Sequence, residues 1–173
     1  MSVAMNQTDR FIPVYYTGLE NDDSTVINAD LPIGGCVLSV ELADSLETVT
    51  GQKLQKVTRP STANLARAQK FFVAKNDNLS VVNAAHVSGT ANRRAGGIVW
   101  VYNPYHPANT QITALIADSI DAGDSLVPAN GSFALAENDA ADAADIVGSI
   151  VGYAREANSS GAAALKKISL WTH

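Results

Sequence analysis

Residues 150–171 read IVGYAREANSSGAAALKKISLW, and this stretch decides between two folds. Its alanine content favours a helix over 153–167 by intrinsic propensity. The alternative is a pair of strands, 150–157 and 165–171, closed by the polar turn NSSG. Apolar residues alternate on both sides of this turn, and Gly152 is a poor residue for the start of a helix. We therefore predict a β-hairpin.

The preceding sequence supports a β fold. TALIA, SLVP and SFALAE lie between 113 and 137 and are separated by the Gly-containing turns DAGD and ANG. A half-buried strand is indicated by the alternation in GGCVLSVEL at 34–42, and two further strands by FFVAK and GGIVWVY. A short helix or turn is indicated by STANLARAQKFF at 61–72. Strands spaced by about ten residues indicate a barrel or sandwich. The predicted fold class is all-β, a barrel- or sandwich-like head with an extended N-terminal arm and at most one or two short helices.

The length of 173 residues suits one domain with an attached arm. Residues 1–33 are mostly polar and predict the arm. Residues 34–173 predict a β-rich domain, within which 51–94 is a possible insertion or second lobe. Cys36 is the single cysteine, which excludes an intramolecular disulfide and a Cys-x-x-Cys metal or redox site. The chain has no signal-peptide pattern and no apolar run of about eighteen residues, so we expect a soluble protein without membrane contact.

Three aromatic residues interrupt the polar arm: Phe11, Tyr15 and Tyr16. The segment has too few apolar residues to form a core of its own. Two interpretations are open, because such residues serve either as anchors that bury into another protein surface or as side chains that fold back onto their own domain. The first makes all three candidate contacts with another protein or a sister subunit.

Charge is distributed unevenly along the chain. Residues 53–94 contain eight basic residues and one acidic residue, a charge of +7, while the remainder has four basic and sixteen acidic residues, a charge of −12. Three explanations fit this pattern. The basic residues form a solvated face, they dock to an acidic surface of another protein, or they pair with the acidic part of another copy of the chain. Nucleic acid is not expected as a partner, because the basic residues are scattered without aromatic interleaving. The basic candidate contacts are Lys53, Lys56, Arg59, Arg67, Arg93 and Arg94.

One motif suggests catalysis. Residues 123–126 spell GDSL, the signature of the GDSL esterases, in which the motif opens the chain and a later Asp-x-x-His supplies the base. Here only His173 follows the motif, and no aspartate stands three positions before it. A serine without a base is a poor nucleophile, so we interpret the motif as a β-turn. We predict no catalytic residue and no enzyme activity.

Metal and cofactor sites lack sequence support. The histidines are isolated from one another and from the cysteine, and Asp139, Asp142 and Asp145 lack the Gly and closing Glu of a calcium loop. No Gly-rich loop of the phosphate-binding kind precedes a helix. We therefore expect no metal and no cofactor. The isolated histidines are His86, His106 and His173.

The C-terminal third resembles the capsid decoration, or cement, proteins of tailed bacteriophages. The resemblance rests on SIDAGDSLVPANGSFALAEN at 119–138 and ADIVGSIVGYAREANSSGAAALKKISLW at 144–171. Those proteins share a strand, a Gly-Asp turn, a strand ending in proline, a late strand like IVGYAREA and a final hairpin. The resemblance implies a β-rich head that trimerises on the outer surface of the virion and locks major capsid proteins together. It leaves the arm and the basic middle unexplained.

A stand-alone β-barrel binding module for a carbohydrate or a protein is the alternative function. Trp100 and Tyr102 lie two residues apart in a predicted strand and therefore on one face. An exposed aromatic pair of this kind suits stacking against a sugar ring. The alternative is that the same two side chains fill the core.

Overall fold

The computed structural model describes residues 9–17, 30–40, 46–49, 51–60, 70–75, 97–138 and 150–171. These residues form eleven strands and one 3₁₀ helix (Pro107–Asn109), and contain no α-helix. The predicted all-β class is confirmed. The strands are β1 (Phe11–Tyr16), β2 (Cys36–Ser39), β3 (Leu46–Val49), β4 (Gln52–Thr58), β5 (Phe71–Val73), β6 (Gly97–Tyr102), β7 (Gln111–Ile116), β8 (Ser125–Pro128), β9 (Leu135–Glu137), β10 (Gly152–Ala154) and β11 (Ala164–Leu170).

The first six strands form one sheet in the order β5–β2–β4–β1–β6, and β3 pairs with the first half of β4. The β1–β4 pair is parallel and the other pairs are antiparallel. A bridge between Ala74 and Val101 joins the end of β5 to β6, so the sheet curls around an apolar core. We name this the sheet core; it comprises Ile12, Val14, Tyr16, Leu31, Val37, Val57, Phe72, Ala74, Val99, Val101 and Phe133.

The last five strands form a closed barrel in the order β10–β11–β7–β9–β8, completed by pairing of β8 with β10. Alternate residues of each strand point inward, as the period of two requires. The interior is narrow and is filled partly by small side chains such as Ala114 and Ala154. The barrel contributes Ile112, Ala114, Ile116, Ile120, Leu126, Leu135, Val151, Ala154, Ile168 and Leu170 to the barrel core.

The sheet and the barrel share their cores. Cys36, Val73 and Tyr102 come from the sheet but belong to the barrel core, whereas Phe133 precedes β9 and belongs to the sheet core. The Cys36 amide donates a hydrogen bond to the Phe133 carbonyl at 2.7 Å. Strand β2 is therefore buried on both faces, so the half-buried strand predicted from its alternation is wrong: Val37 faces the sheet core, opposite Cys36.

Residues 11–16, predicted as part of an extended arm, instead form β1. This strand lies between β4 and β6 and pairs with β6 along its whole length. The Asn103 side-chain amide also donates to the Asp9 carbonyl at 2.8 Å, which fixes the entry to β1. Residues 1–8 and 18–29 lie outside the described residues, so the division at residue 33 stays a prediction.

The predicted insertion at 51–94 contains two strands of the sheet, β4 and β5. Residues 61–69 and 76–96 lie outside the described residues, and with them most of the predicted short helix or turn. The C-terminal hairpin is confirmed. Strand β10 pairs antiparallel with β11, and Gly161 in the connecting turn has a φ of +79°.

Candidate interaction surfaces

The aromatic residues of β1 divide between the two faces of the sheet. Tyr16 is fully buried, and its ring contacts that of Phe133 edge-on, with centroids 6.0 Å apart. Burial raises the pKa of the Tyr16 phenol, although the nearby Arg59 guanidinium opposes this shift. Tyr16 thus contributes to the core and is not accessible to a partner, whereas Phe11 and Tyr15 lie half-buried on the outer face.

Phe11 packs onto its own domain. Its ring centroid lies 5.3 Å from that of Tyr102, and it contacts the barrel core. Two cations also approach the ring: Lys75 Nζ is 4.5 Å and the Arg10 guanidinium carbon 5.3 Å from its centroid. These are cation–π distances. Of the two interpretations of this residue, folding back onto the domain fits its contacts.

Tyr15 belongs to a half-buried strip on the outer face of the sheet. It lies opposite Lys56 of β4 on one side and Ile98 of β6 on the other, and Pro13 lies opposite Trp100. We name these five residues the outer strip. Each is half-buried, so the strip presents apolar surface to solvent with an ammonium group at its edge.

The other basic candidates do not join this strip. Lys53 is exposed on β4, three residues from Lys56, so the two side chains point to opposite faces of the strand. Arg59 is half-buried beyond the end of β4, near Tyr16. Arg67, Arg93 and Arg94 lie outside the described residues. The structure therefore brings together Tyr15 and Lys56 from the predicted contact set and separates Lys53 from them.

The GDSL segment forms a turn followed by a strand. The Asp124 carboxylate accepts a hydrogen bond from the Asp121 amide at 2.7 Å, which closes the turn, and Ser125 begins β8. The β-turn interpretation is confirmed. His106, the histidine within the described residues, accepts a hydrogen bond from the Ala108 amide through Nδ1 and caps the 3₁₀ helix.

Cys36 is completely buried, and burial raises the pKa of its thiol, so this group stays protonated and shielded from solvent. Within the described ranges, no three His, Cys, Asp or Glu side chains are grouped closely enough to hold a metal ion. Nor does this part of the chain contain a helix with the length and apolar character needed to span a membrane.

Trp100 and Tyr102 do not form an exposed pair. Tyr102 is 6% exposed and packs in the barrel core against Phe11, so the core-filling interpretation of this residue is correct. A different aromatic pair reaches solvent on the barrel. The rings of Tyr153 and Trp171 lie 5.5 Å apart, and Trp171 is 40% exposed. This pairing was not predicted from the sequence.

No protein-family model matches the chain, and no curated protein matches its sequence. Among solved structures, the chain is similar to the crystal structure of the N base of the head fiber gp8.5 of bacteriophage phi29. The two are 10% identical, and their TM-score is 0.42. The similarity covers 94% of this chain and 98% of the phage chain.

Proposed function

We propose that the protein is a non-catalytic decoration, or cement, protein of a tailed-phage head. It binds the outer surface of the capsid and stabilises contacts between major capsid proteins. It is made in the host cytoplasm and functions in the virion. The observation that carries this proposal is the folding of the segment that resembles decoration proteins. That segment supplies four of the five barrel strands, β8 to β11.

The elements implied by the resemblance appear in their expected order. The Gly-Asp turn at 123–124 precedes β8, and β8 ends at Pro128. Strand β10 and the Gly161 turn then lead into β11, the longest strand of the barrel. Because a barrel has no free sheet edge, such a head is protected from unspecific strand addition. This property suits a protein that is displayed at high density on a particle.

The outer strip is the proposed contact with the major capsid protein. Protein interfaces combine an apolar centre, often aromatic, with a polar rim. Tyr15 and Trp100 supply the centre, and Lys56 supplies a positive rim. The complementary surface is apolar with acidic residues at its edge. Rim charges mainly affect association rate and specificity and are screened by salt.

We also propose that the protein acts as a homo-oligomer, most simply a trimer. The +7 charge of residues 53–94 and the −12 charge of the remainder allow copies to pair. Joining weak capsid contacts in one oligomer raises the effective concentration for each further contact. A monomeric mass at micromolar concentration and low salt, both in solution and on shells, would contradict this proposal.

Co-sedimentation with shells that lack the protein tests the capsid contact. Lys56→Glu should lower shell occupancy, whereas Lys53→Glu makes the same charge change on the opposite face and should not. Added salt should weaken wild-type binding and reduce the difference between the variants. Wild-type protein that fails to bind shells would refute the decoration role. Wild-type binding with equal losses for both variants would refute only the outer strip.

A further inference from the structure

Four side chains form a row across the outer face of the barrel. Tyr153 of β10 is in register with Ser125 of β8 on one side and with Ser169 of β11 on the other, and Ser169 is in register with Gln111 of β7. Residues in register across paired strands point to the same face. Strands are about 4.8 Å apart, so the row spans roughly 14 Å.

Trp171 adds a second aromatic ring beside this row. Its ring centroid lies 5.5 Å from that of Tyr153, and the planes are tilted by 52°. The Trp171 amide donates to the Val151 carbonyl at 2.8 Å, which holds the residue against β10 beyond the end of β11. Strand pairing therefore fixes the backbone of Tyr153, and a hydrogen bond fixes that of Trp171. The two tilted rings form a non-planar aromatic surface on the barrel.

The polar members of the row are accessible. Gln111 is exposed, and Ser125 and Ser169 are half-buried. Within the described part of the chain, these three side chains form no hydrogen bond. The five side chains carry no charge. The nearest cation along the same face of β11, Lys167, lies 3.7 Å from the Glu156 carboxylate.

From this arrangement we propose that the row and Trp171 form a binding site for a neutral saccharide. A sugar ring has an apolar C–H face and a rim of hydroxyl groups. The C–H face packs on aromatic rings, and the hydroxyl groups require nearby hydrogen-bonding side chains. Tyr153 and Trp171 supply the rings, while the two serines and Gln111 supply donors and acceptors. The length of the row accommodates an oligosaccharide.

Purified full-length protein is sufficient for the test, so its outcome does not depend on capsid binding. The probes are trisaccharides of glucose, galactose and N-acetylglucosamine, with a galacturonate trisaccharide as a charged comparison. NMR distinguishes the indole N–H signals of Trp171 and Trp100. At least one neutral trisaccharide, at up to roughly 10 mM, should shift the Trp171 signal and leave Trp100 unchanged.

Substitutions test whether the saccharide binds at this row. Trp171→Ala and Tyr153→Ala should each weaken binding by about tenfold or more, because aromatic anchors dominate such contacts. Tyr153→Phe keeps the ring and should retain most of the affinity, and Gln111→Ala should have an intermediate effect. Tyr105→Ala is the matched control, because Tyr105 is 49% exposed but lies in the loop after β6. A thermal melt of each variant checks that it is folded.

Three results would overturn the proposal. One is the absence of any Trp171 shift with all neutral probes. Another is equal binding by wild type and by folded Trp171→Ala and Tyr153→Ala variants. A third is a concentration-dependent shift of the same signals without sugar, which would identify the face as a protein interface. Stronger binding of the galacturonate probe than of every neutral probe would also refute the neutral specificity.

Discussion

Asn158 holds the long loop of the C-terminal hairpin against the barrel. The residue is fully buried, and its side-chain amide donates to the carbonyls of Ala117 at 2.8 Å, Ala162 at 2.9 Å and Ile116 at 3.3 Å. Its Oδ1 accepts from the Ser160 hydroxyl at 2.8 Å. A buried carbonyl that loses its donor suffers the full cost of desolvation. This single side chain therefore joins β7 to the hairpin loop.

We predict that Asn158→Ala lowers the free energy of unfolding by about 3 kcal/mol. Asn158→Asp should be at least as damaging, because it places a carboxylate against three carbonyl oxygens. Urea unfolding measures both effects. Ser160→Ala is the control, since Ser160 is exposed and its loss should cost less than about 1 kcal/mol. Equal urea midpoints for the Asn158 and Ser160 variants would contradict this role.

Asp118 makes the hairpin loop sensitive to acid. Its carboxylate accepts hydrogen bonds from the Gly161 amide at 2.8 Å and the Ser119 hydroxyl at 3.1 Å. These bonds, chiefly that from Gly161, lower the pKa of Asp118. A group with a depressed folded pKa contributes stability above its unfolded pKa and loses that contribution as pH falls through the folded value. The contribution should therefore disappear below about pH 4.

NMR titration of the Asp118 carboxyl carbon checks this prediction. Its pKa should be lower in the folded protein than in the urea-unfolded chain. Between about pH 5 and pH 2, the Asp118→Asn variant should lose slightly less stability than the wild type. The effect is small because the carboxylate is exposed to solvent. Identical pKa values in the two states would show that the hydrogen bonds do not stabilise the charged form.

At the scale of elements, the hairpin forms in spite of its alanine content because small residues are needed where β10 meets β11. Gly152 lies opposite Leu170, and an added Cβ would overlap the carbonyl oxygen of Ser169. The helix propensity of alanine is a weak preference that tertiary packing overrides. Sequence reasoning found this hairpin because Gly152 and the NSSG turn both disfavour a continuous helix.

Gly152→Ala should disrupt the pairing of β10 with β11. Relief of the overlap requires the two backbones to separate, so we expect a loss of about 3 kcal/mol or more. Gly161→Ala is the matched control, because its added Cβ meets nothing within 4 Å. The only cost is that of a left-handed backbone at an alanine, a loss of about 1 kcal/mol in stability. Chemical denaturation compares the two. Equal losses would show that the close approach is unimportant.

Strand β1 shows why part of the fold escaped prediction. FIPVYY has apolar residues on both faces, which is typical of a strand buried on both sides, but its polar flanks suggested an arm. Pro13 also argues against a central strand, because proline cannot donate to a ladder. The structure resolves the conflict. Strand β4 pairs with β1 at Tyr15 and Tyr16, so Pro13 lies outside that parallel ladder.

Deletion of residues 1–20 should unfold the sheet, contrary to what an arm would allow. The deletion removes β1 from between β4 and β6 and takes Ile12, Val14 and Tyr16 out of the sheet core. Deletion of residues 1–8 keeps the Asp9 carbonyl that Asn103 contacts and should leave a cooperative thermal melt. Circular dichroism melts compare the two truncations. A native-like melt after removal of 1–20 would contradict the central position of β1.

At the scale of the whole molecule, prediction from sequence worked best where contacts are local. The barrel hairpins connect neighbouring strands, so turns and alternation were enough to find them. The row of side chains that contains Tyr153 depends on registers between four strands, and β1 depends on pairing with β6 about ninety residues later. Such long-range pairings leave no local pattern. The basic character of residues 53–94 was found from charge alone. Strand β4 within this range was missed, because its buried residues Leu54 and Val57 do not follow the strict alternation of a strand.

The shared cores predict that sheet and barrel unfold together, and Phe133 tests this coupling. The side chain is 8% exposed, enters from the barrel and contacts Tyr16 in the sheet core. Phe133→Ala should cost roughly 3–5 kcal/mol, as large-to-small substitutions of buried aromatic residues do. Hydrogen exchange should show equal losses of amide protection in β1–β6 and in β7–β11. A thermal melt of the variant should show a single transition. Tyr105→Ala, an exposed aromatic truncation, should change stability by less than about 0.5 kcal/mol. Two separate transitions, or a loss confined to the sheet, would show that the two cores are independent.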